Sequence, residues 1–219
     1  VLGRIQCELG RRFRNFIWEG VDIRVNGEVV TPIDPLLRSE DSSGVSSTMY
    51  GPEIRLSVRH QTGTGNEGTG DVGIKFAELP VSDWYSLSPV EKRKKGITRS
   101  AGVSVIRNRR EVDYGWYFMG GKRRENYDDW WRCEVEFNPV LDETFGVTHT
   151  KQQIRPSDAL IEALTSIIEP VARVLSRRAR DAHQHMASKE RDSNPVIAFA
   201  EKVNDVLPNP SYELGSAPK

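Results

Sequence analysis

Cysteine is scarce in this chain: of 219 residues only Cys7 and Cys133 carry a thiol. Two such distant cysteines have neither metal-ligand spacing nor the number for a disulfide framework, so both read as half-buried thiols of a protein kept in a reducing cytoplasm. Long apolar runs are missing as well. No stretch approaches the ~18 apolar residues that a membrane span requires, and no charged-then-apolar leader is present, which predicts no membrane partner. Charge of one sign is not in excess either, since 31 lysines and arginines face 31 aspartates and glutamates. Any contact with nucleic acid would need a local basic patch. Signatures of a complete catalytic site are absent too: there is no nucleophile elbow, no H-E-x-x-H and no cysteine pair at zinc spacing. The chain opens at Val1 in mid-pattern, without a methionine, which predicts a piece of a longer polypeptide.

What is present suffices for a real core, with 37% apolar residues. Leu9, Phe13, Phe16 and Ile17 fall at helical spacing before Gly20, predicting an amphipathic helix over residues 1–20. "VDIRVNGEVVTP" alternates around Asn26-Gly27, a pair that accepts the positive φ of a type I′ hairpin turn. "EIRLSVRH" places Ile54, Leu56 and Val58 on one strand face. The glycine-rich "QTGTGNEGTGD" after it lacks the G-K-[ST] ending of a phosphate loop and opens into strand-like "VGIKF", so it reads as a mobile hairpin tip. "SDWYSLSPVEKRKKG" predicts a turn and a short helix ending at Gly96, with its basic run at the negative end of the helix dipole. "AGVSVIRNRREVDYGWYF" is a strand pair or a bulged strand, and "WWRCEVEFNP" is a further strand.

From Pro156 the period changes. Ala159, Leu160, Ala163, Leu164, Ile167 and Ile168 form one helical face behind an N-cap at Ser157 or Asp158, with Pro170 expected to kink or end the helix. "NPVIAFAEKVNDVLP" adds a short amphipathic helix. Strands and helices interleave, so the expected class is α+β, with helices packed mainly on one sheet face and a long C-terminal helical segment. The expected division is a helix over 1–20, a mixed-sheet domain over 21–155, C-terminal helices over 156–207 and a disordered tail over 208–219. The pair His183 and His185 points to different sides of a helix and reads as exposed. Asp128-Asp129 and Asp142-Glu143 read as surface charge.

One stretch, "GVTHTKQQIRPSD", is a polar connection without apolar periodicity of its own, although it joins a strand to the longest helix. The run "GVSVIRNRREVD", then the tryptophan-containing "WWRCEVEFNP", then "LDETFGVTHTKQ" and a long helix, in that order, resembles the second domain of GHKL ATPases. That superfamily includes gyrase B, MutL, heat-shock chaperones and MORC proteins, and the likeness is greatest to MORC-type and related bacterial ATP-binding proteins. It spans residues 9–164 and is specific in "VIRNRR" and "THTKQ". The resemblance implies a ribosomal-protein-type βαβ transducer domain docked on an N-terminal GHKL ATPase domain of the same polypeptide, with a homodimer among the assemblies it allows.

In that superfamily a lysine from a loop of the second domain reaches the γ-phosphate, and position in "THTKQ" gives this role to Lys151, with Thr150 and Gln152 beside it as cofactor-binding residues. ATP and magnesium would be bound mainly by the N-terminal domain, because the family's helical glutamate, magnesium-binding asparagine, D-x-G-x-G turn and glycine lid are not in this chain. Asp71 and Gly73 lack the further glycine of that turn. Alone, the chain is expected to be inactive. The alternative is a nucleic-acid-binding α+β module without catalysis, using the basic segments Arg107 to Arg110 and Lys122 to Arg124, with Trp116, Trp130 and Trp131 available to stack on bases.

Overall fold

The computed structural model describes residues 2–39, 44–61, 67–147 and 153–193. The expected short helix after residue 193 and the tail over 208–219 lie outside them. Two helices open the chain, α1 (Leu2–Arg12) and α2 (Arg14–Trp18), followed by a small hairpin of β1 (Arg24–Val25) and β2 (Glu28–Val29). Asn26 and Gly27 take φ of 52° and 85° at its turn, the conformation that this residue pair tolerates best.

The main sheet has six strands: β3 (Thr48–Met49), β4 (Ile54–Gln61), β5 (Glu67–Glu78), β6 (Val103–Arg107), β7 (Arg110–Gly115) and β8 (Trp131–Phe137). β3 and β4 share one edge of β5, and the order continues through β8 and β6 to β7. β6 and β8 run parallel, and every other pair is antiparallel. The chain between that parallel pair passes through β7 and a 3₁₀ turn at Asn126–Trp130, with no α-helix among its elements. Between β5 and β6 lie two short helices, α3 (Val81–Trp84) and α4 (Pro89–Lys94). Ser88 and Glu91 form a reciprocal capping box at the start of α4, and Gly96 closes its end at φ 73°.

Alternation along the strands sorts side chains onto two faces. Val72, Ile74 and Phe76 of β5, Val103 and Val105 of β6, and Trp131, Cys133, Val135 and Phe137 of β8 share one face. The long helix α5 (Asp158–Ser193) lays Leu160, Leu164, Ile168, Ala172 and Leu175 against it, so the expected α+β class with a helix-covered face and a long C-terminal helix is found. Ser157 caps α5 by accepting a bond from the Leu160 amide at 3.4 Å. The helix runs through Pro170 instead of ending there. Pro170 and Ser166, whose carbonyl the proline leaves without a helical donor, both lie on the exposed side of the helix, open to solvent.

The opposite sheet face is polar, yet it is covered. Arg14 of α2 is wholly buried there, donating to Glu111 at 3.2 Å, Ser104 at 3.1 Å and Glu134 at 2.8 Å. The N-terminal helices therefore form a second layer, docked through charge and not through an apolar stripe.

Candidate functional site

The polar stretch singled out in the sequence begins at Gly146, after the turn that follows β8. Asn138 caps a 3₁₀ turn at Pro139–Leu141, accepting from the Val140 amide at 3.2 Å. Phe145 then stacks flat on Phe137, with ring centroids 3.8 Å apart. Arg107, at the end of β6, grips both oxygens of Asp142 at 2.6 Å and ties the turn to the sheet.

After this turn the chain departs at Gly146 and returns at Arg155, and the two points are in contact. The Arg155 amide donates to the carbonyls of Phe145 and Gly146, both at 3.1 Å, and the Ser157 amide donates to Thr144 at 3.0 Å. Gly146 has φ of +58°, and a Cβ placed there would meet the Arg155 carbonyl oxygen at 1.9 Å, so only glycine fits. The returning strand is held again by the Ile154 amide, which donates to Asp113 of β7 at 3.0 Å. Asp113 also accepts from Tyr117 at 2.6 Å; burial first, and then this carboxylate, push the Tyr117 phenol well above its ordinary value. Thr150, Lys151 and Gln152 lie outside the described residues, between these pinned ends.

The groups assigned to nucleic acid are largely used inside the fold. Arg107 is held by Asp142, Arg109 pairs with Glu19, and Arg110 lies over the Phe13 ring at 5.0 Å. Lys122 is buried against Asp128, with its ammonium 2.6 and 2.7 Å from the two carboxylate oxygens. Trp130 and Trp131 are buried, and half-buried Trp116 spends its N–H on the Lys122 carbonyl at 3.1 Å. These residues form neither a continuous basic patch nor exposed stacking rings. Packing has claimed most of them, while Arg123 stays exposed.

The aspartates read as surface charge are corrected in the same way. Asp128 accepts from Lys122, from the Glu125 amide at 2.7 Å, from Trp131 Nε1 at 3.1 Å and from the Ser176 hydroxyl of α5. Asp129 accepts from the amides of Arg99 and Ala101 at 3.1 and 3.3 Å. His185 is exposed as expected, but His183 is not. It sits among Tyr85, Tyr127 and Trp130, its ring 4.9 Å from Trp130, with Nε2 buried and lacking a hydrogen-bond partner. Burial and then the nearby Lys92 charge hold its imidazole below the ordinary histidine value.

Asp71 and Gly73 lie within β5, where Asp71 accepts from Ser57 at 2.9 Å and a Cβ at Gly73 would strike Glu53. Neither belongs to a nucleotide-binding turn. The glycine-rich segment is a hairpin whose ladder reaches from Gln61↔Glu67 inwards, so Gly68 and Gly70 are strand residues; residues 62–66 lie outside the described ones. Gly70 is needed because a Cβ there would lie 2.6 Å from the Leu141 side chain. Among the described residues no three His, Cys, Asp or Glu side chains converge to hold a metal, and no helix is long and apolar enough to cross a membrane. Compared with known proteins, the chain matches no protein-family model, no curated relative and no solved structure.

Proposed function

We propose that this chain is the transducer portion of a GHKL-type ATPase, in which Lys151 reaches the γ-phosphate of an ATP bound by an N-terminal domain of the same polypeptide. The observation that carries this reading is the pinned base at residues 144–157. A loop whose two ends are bonded to each other, to the sheet through Asp113 and Asp142, and directly to the start of α5 passes any displacement at its centre to both layers. A cation held on such a base also loses less freedom on meeting an anion than one on a free tail. In this reading magnesium and most ATP contacts belong to the N-terminal domain, and this chain contributes Lys151 with Thr150 and Gln152 beside it. Such a protein works in the cytoplasm, where ATP is found and where Cys7 and Cys133 stay free thiols. A homodimer that brings two such chains together belongs to the same reading.

The test is turnover in the polypeptide that includes the ATPase domain. A fixed cation at the γ-phosphate stabilises the transition state more than the bound substrate. Lys151→Ala therefore lowers kcat by about 10²–10³, or about 3–4 kcal/mol, with KM little changed. Lys151→Arg does not restore it, because a planar guanidinium does not reproduce a compact ammonium. Lys189→Ala, far along α5, is the control. Parental turnover in Lys151→Ala would remove the chemical basis of the assignment.

A further inference from the structure

A second region, independent of the 144–157 loop, collects more cationic than anionic side chains. Where α1, the segment at residues 33–37, the end of α4 and strands β7 and β8 meet, they enclose a cleft of about 540 Å³. That is within the range of small-molecule sites, roughly 300–1,000 Å³. Five cationic side chains and two carboxylates line it, in a chain whose formal charges sum to zero.

The two carboxylates are already engaged. Glu8 pairs with Arg12 at 3.3 Å and Arg11 at 3.6 Å, and Asp34 pairs with Arg38 at 2.7 Å while accepting from the Leu36 amide. Three of the cations have no such partner: among the described residues, Lys94, Arg99 and Arg132 touch no carboxylate within 4 Å.

Arg132 forms the floor. It is 1% exposed, and its guanidinium donates only to carbonyls: Asp129 at 3.0 Å, Trp131 at 2.7 Å, Gly96 at 2.7 Å and Ile97 at 2.9 Å. The Asp129 carboxylate acts on it through space but is itself taken by Arg124 and two backbone amides. Carbonyl dipoles satisfy the N–H groups of Arg132, and no carboxylate is bonded to it, in a setting where water screens little. On the wall, Tyr114 is held by its bond to the Ser100 carbonyl, with the Arg11 guanidinium 4.8 Å from its ring centroid. Lys94 and Arg99 are exposed at the mouth.

We propose that this cleft binds a small polyanion bearing phosphate or carboxylate groups, with Lys94 and Arg99 engaging its oxygens and Arg132 supplying charge from the floor. The mouth cations give the ligand direct charge-assisted hydrogen bonds, and the buried guanidinium favours any anion that displaces water above it. Cys7 lines the same cleft and is exposed, whereas Cys133 is buried, so a bound ligand shields the accessible one of the chain's two thiols.

The experiment titrates the chain with pyrophosphate and, separately, with citrate, by calorimetry and by the rate of Cys7 alkylation. Saturable binding of at least one probe is expected, with slowed alkylation at saturation; the probe that binds identifies phosphate or carboxylate chemistry. The charge-removing pair Lys94→Gln with Arg99→Gln keeps the side-chain stems and is expected to weaken binding by about tenfold or more. Lys189→Gln with Arg191→Gln removes the same charge at the far end of α5 and leaves the affinity unchanged. Absence of saturable binding to both probes overturns the proposal, as does equal weakening in the two double variants. So does affinity in Lys94→Gln with Arg99→Gln that matches the parent. None of these readouts involves ATP turnover, so failure here is separate from failure of the Lys151 assignment.

Discussion

His183 is the side chain whose environment departs furthest from what its exposed-looking neighbourhood suggests. Tyr85, Tyr127 and Trp130 surround it, Lys92 of α4 faces it, and Arg180, over the Tyr127 ring, pairs with Glu125 close by. Burial and the Lys92 charge hold its folded pKa below the ordinary histidine value. The unfolded chain thus takes up its proton first as pH falls, so this contribution is fully present above the unfolded value and is lost as pH falls through the folded one. His183→Phe fills the aromatic setting without titrating, and is expected to flatten the acid-side loss of stability. Urea unfolding from pH 7.5 to 5 checks it; an unaltered slope in the variant would show that other groups carry the effect. Sequence reasoning did not see this burial, because helical periodicity tells which side of α5 a residue occupies but not which rings the 3₁₀ turn at Asn126–Trp130 brings over that side.

At the scale of elements, the pinned loop base is the feature with the plainest mechanical consequence. Gly146 combines a left-handed backbone with direct contact on Arg155. Alanine there carries both the left-handed penalty and an overpacking penalty, together about 2–5 kcal/mol. Gly146→Ala is therefore expected to lower the thermal midpoint clearly, whereas Gly44→Ala, also at positive φ but with nothing within 4 Å, carries only the first penalty. Equal losses in the two variants would mean that the base relaxes freely, and the loop would then have no rigid support. Individual elements were well marked in the sequence. The Asn26-Gly27 turn, the Gly96 end of the short helix and, of the two N-cap candidates of α5, Ser157 all appear where local chemistry requires them. The turn between β6 and β7 was not separable from a bulge in advance, and both occur: Asn108 and Arg109 take φ of 44° and 69°, and the register shifts at Val105/Ile106. An arginine rarely accepts that conformation unaided; here Asn15 binds its carbonyl at 2.7 Å.

For the whole molecule, the decisive contact is the one that attaches the N-terminal layer. Arg14 reaches residues 97 and 120 positions further along the chain, and no apolar stripe substitutes for it. Arg14→Leu leaves Glu111 and Glu134 facing an uncharged side chain and is expected to cost about 3–5 kcal/mol. That is a large part of the roughly 5–15 kcal/mol that keeps a domain folded. Arg14→Lys retains the charge but not the planar fork that spans both carboxylates, and should lose less. Equilibrium unfolding measures both, and a loss below about 1 kcal/mol for Arg14→Leu would mean that the layer docks by other means. Period and turn chemistry are local properties, so the sequence by itself determined the α+β class, the strand faces, the face of α5 and its N-cap region, but not the division of the entry helix into α1 and α2. It also marked the 146–158 stretch as unusual. Only the tertiary structure decided that the polar sheet face is buried, that Lys122 and Asp128 are partners and not surface charge, and that Arg132 lies beneath a cationic cleft. Those outcomes depend on which groups the fold brings together, for Arg14 across 97 and 120 residues, and burial then fixes their energies, whereas local spacing records neither.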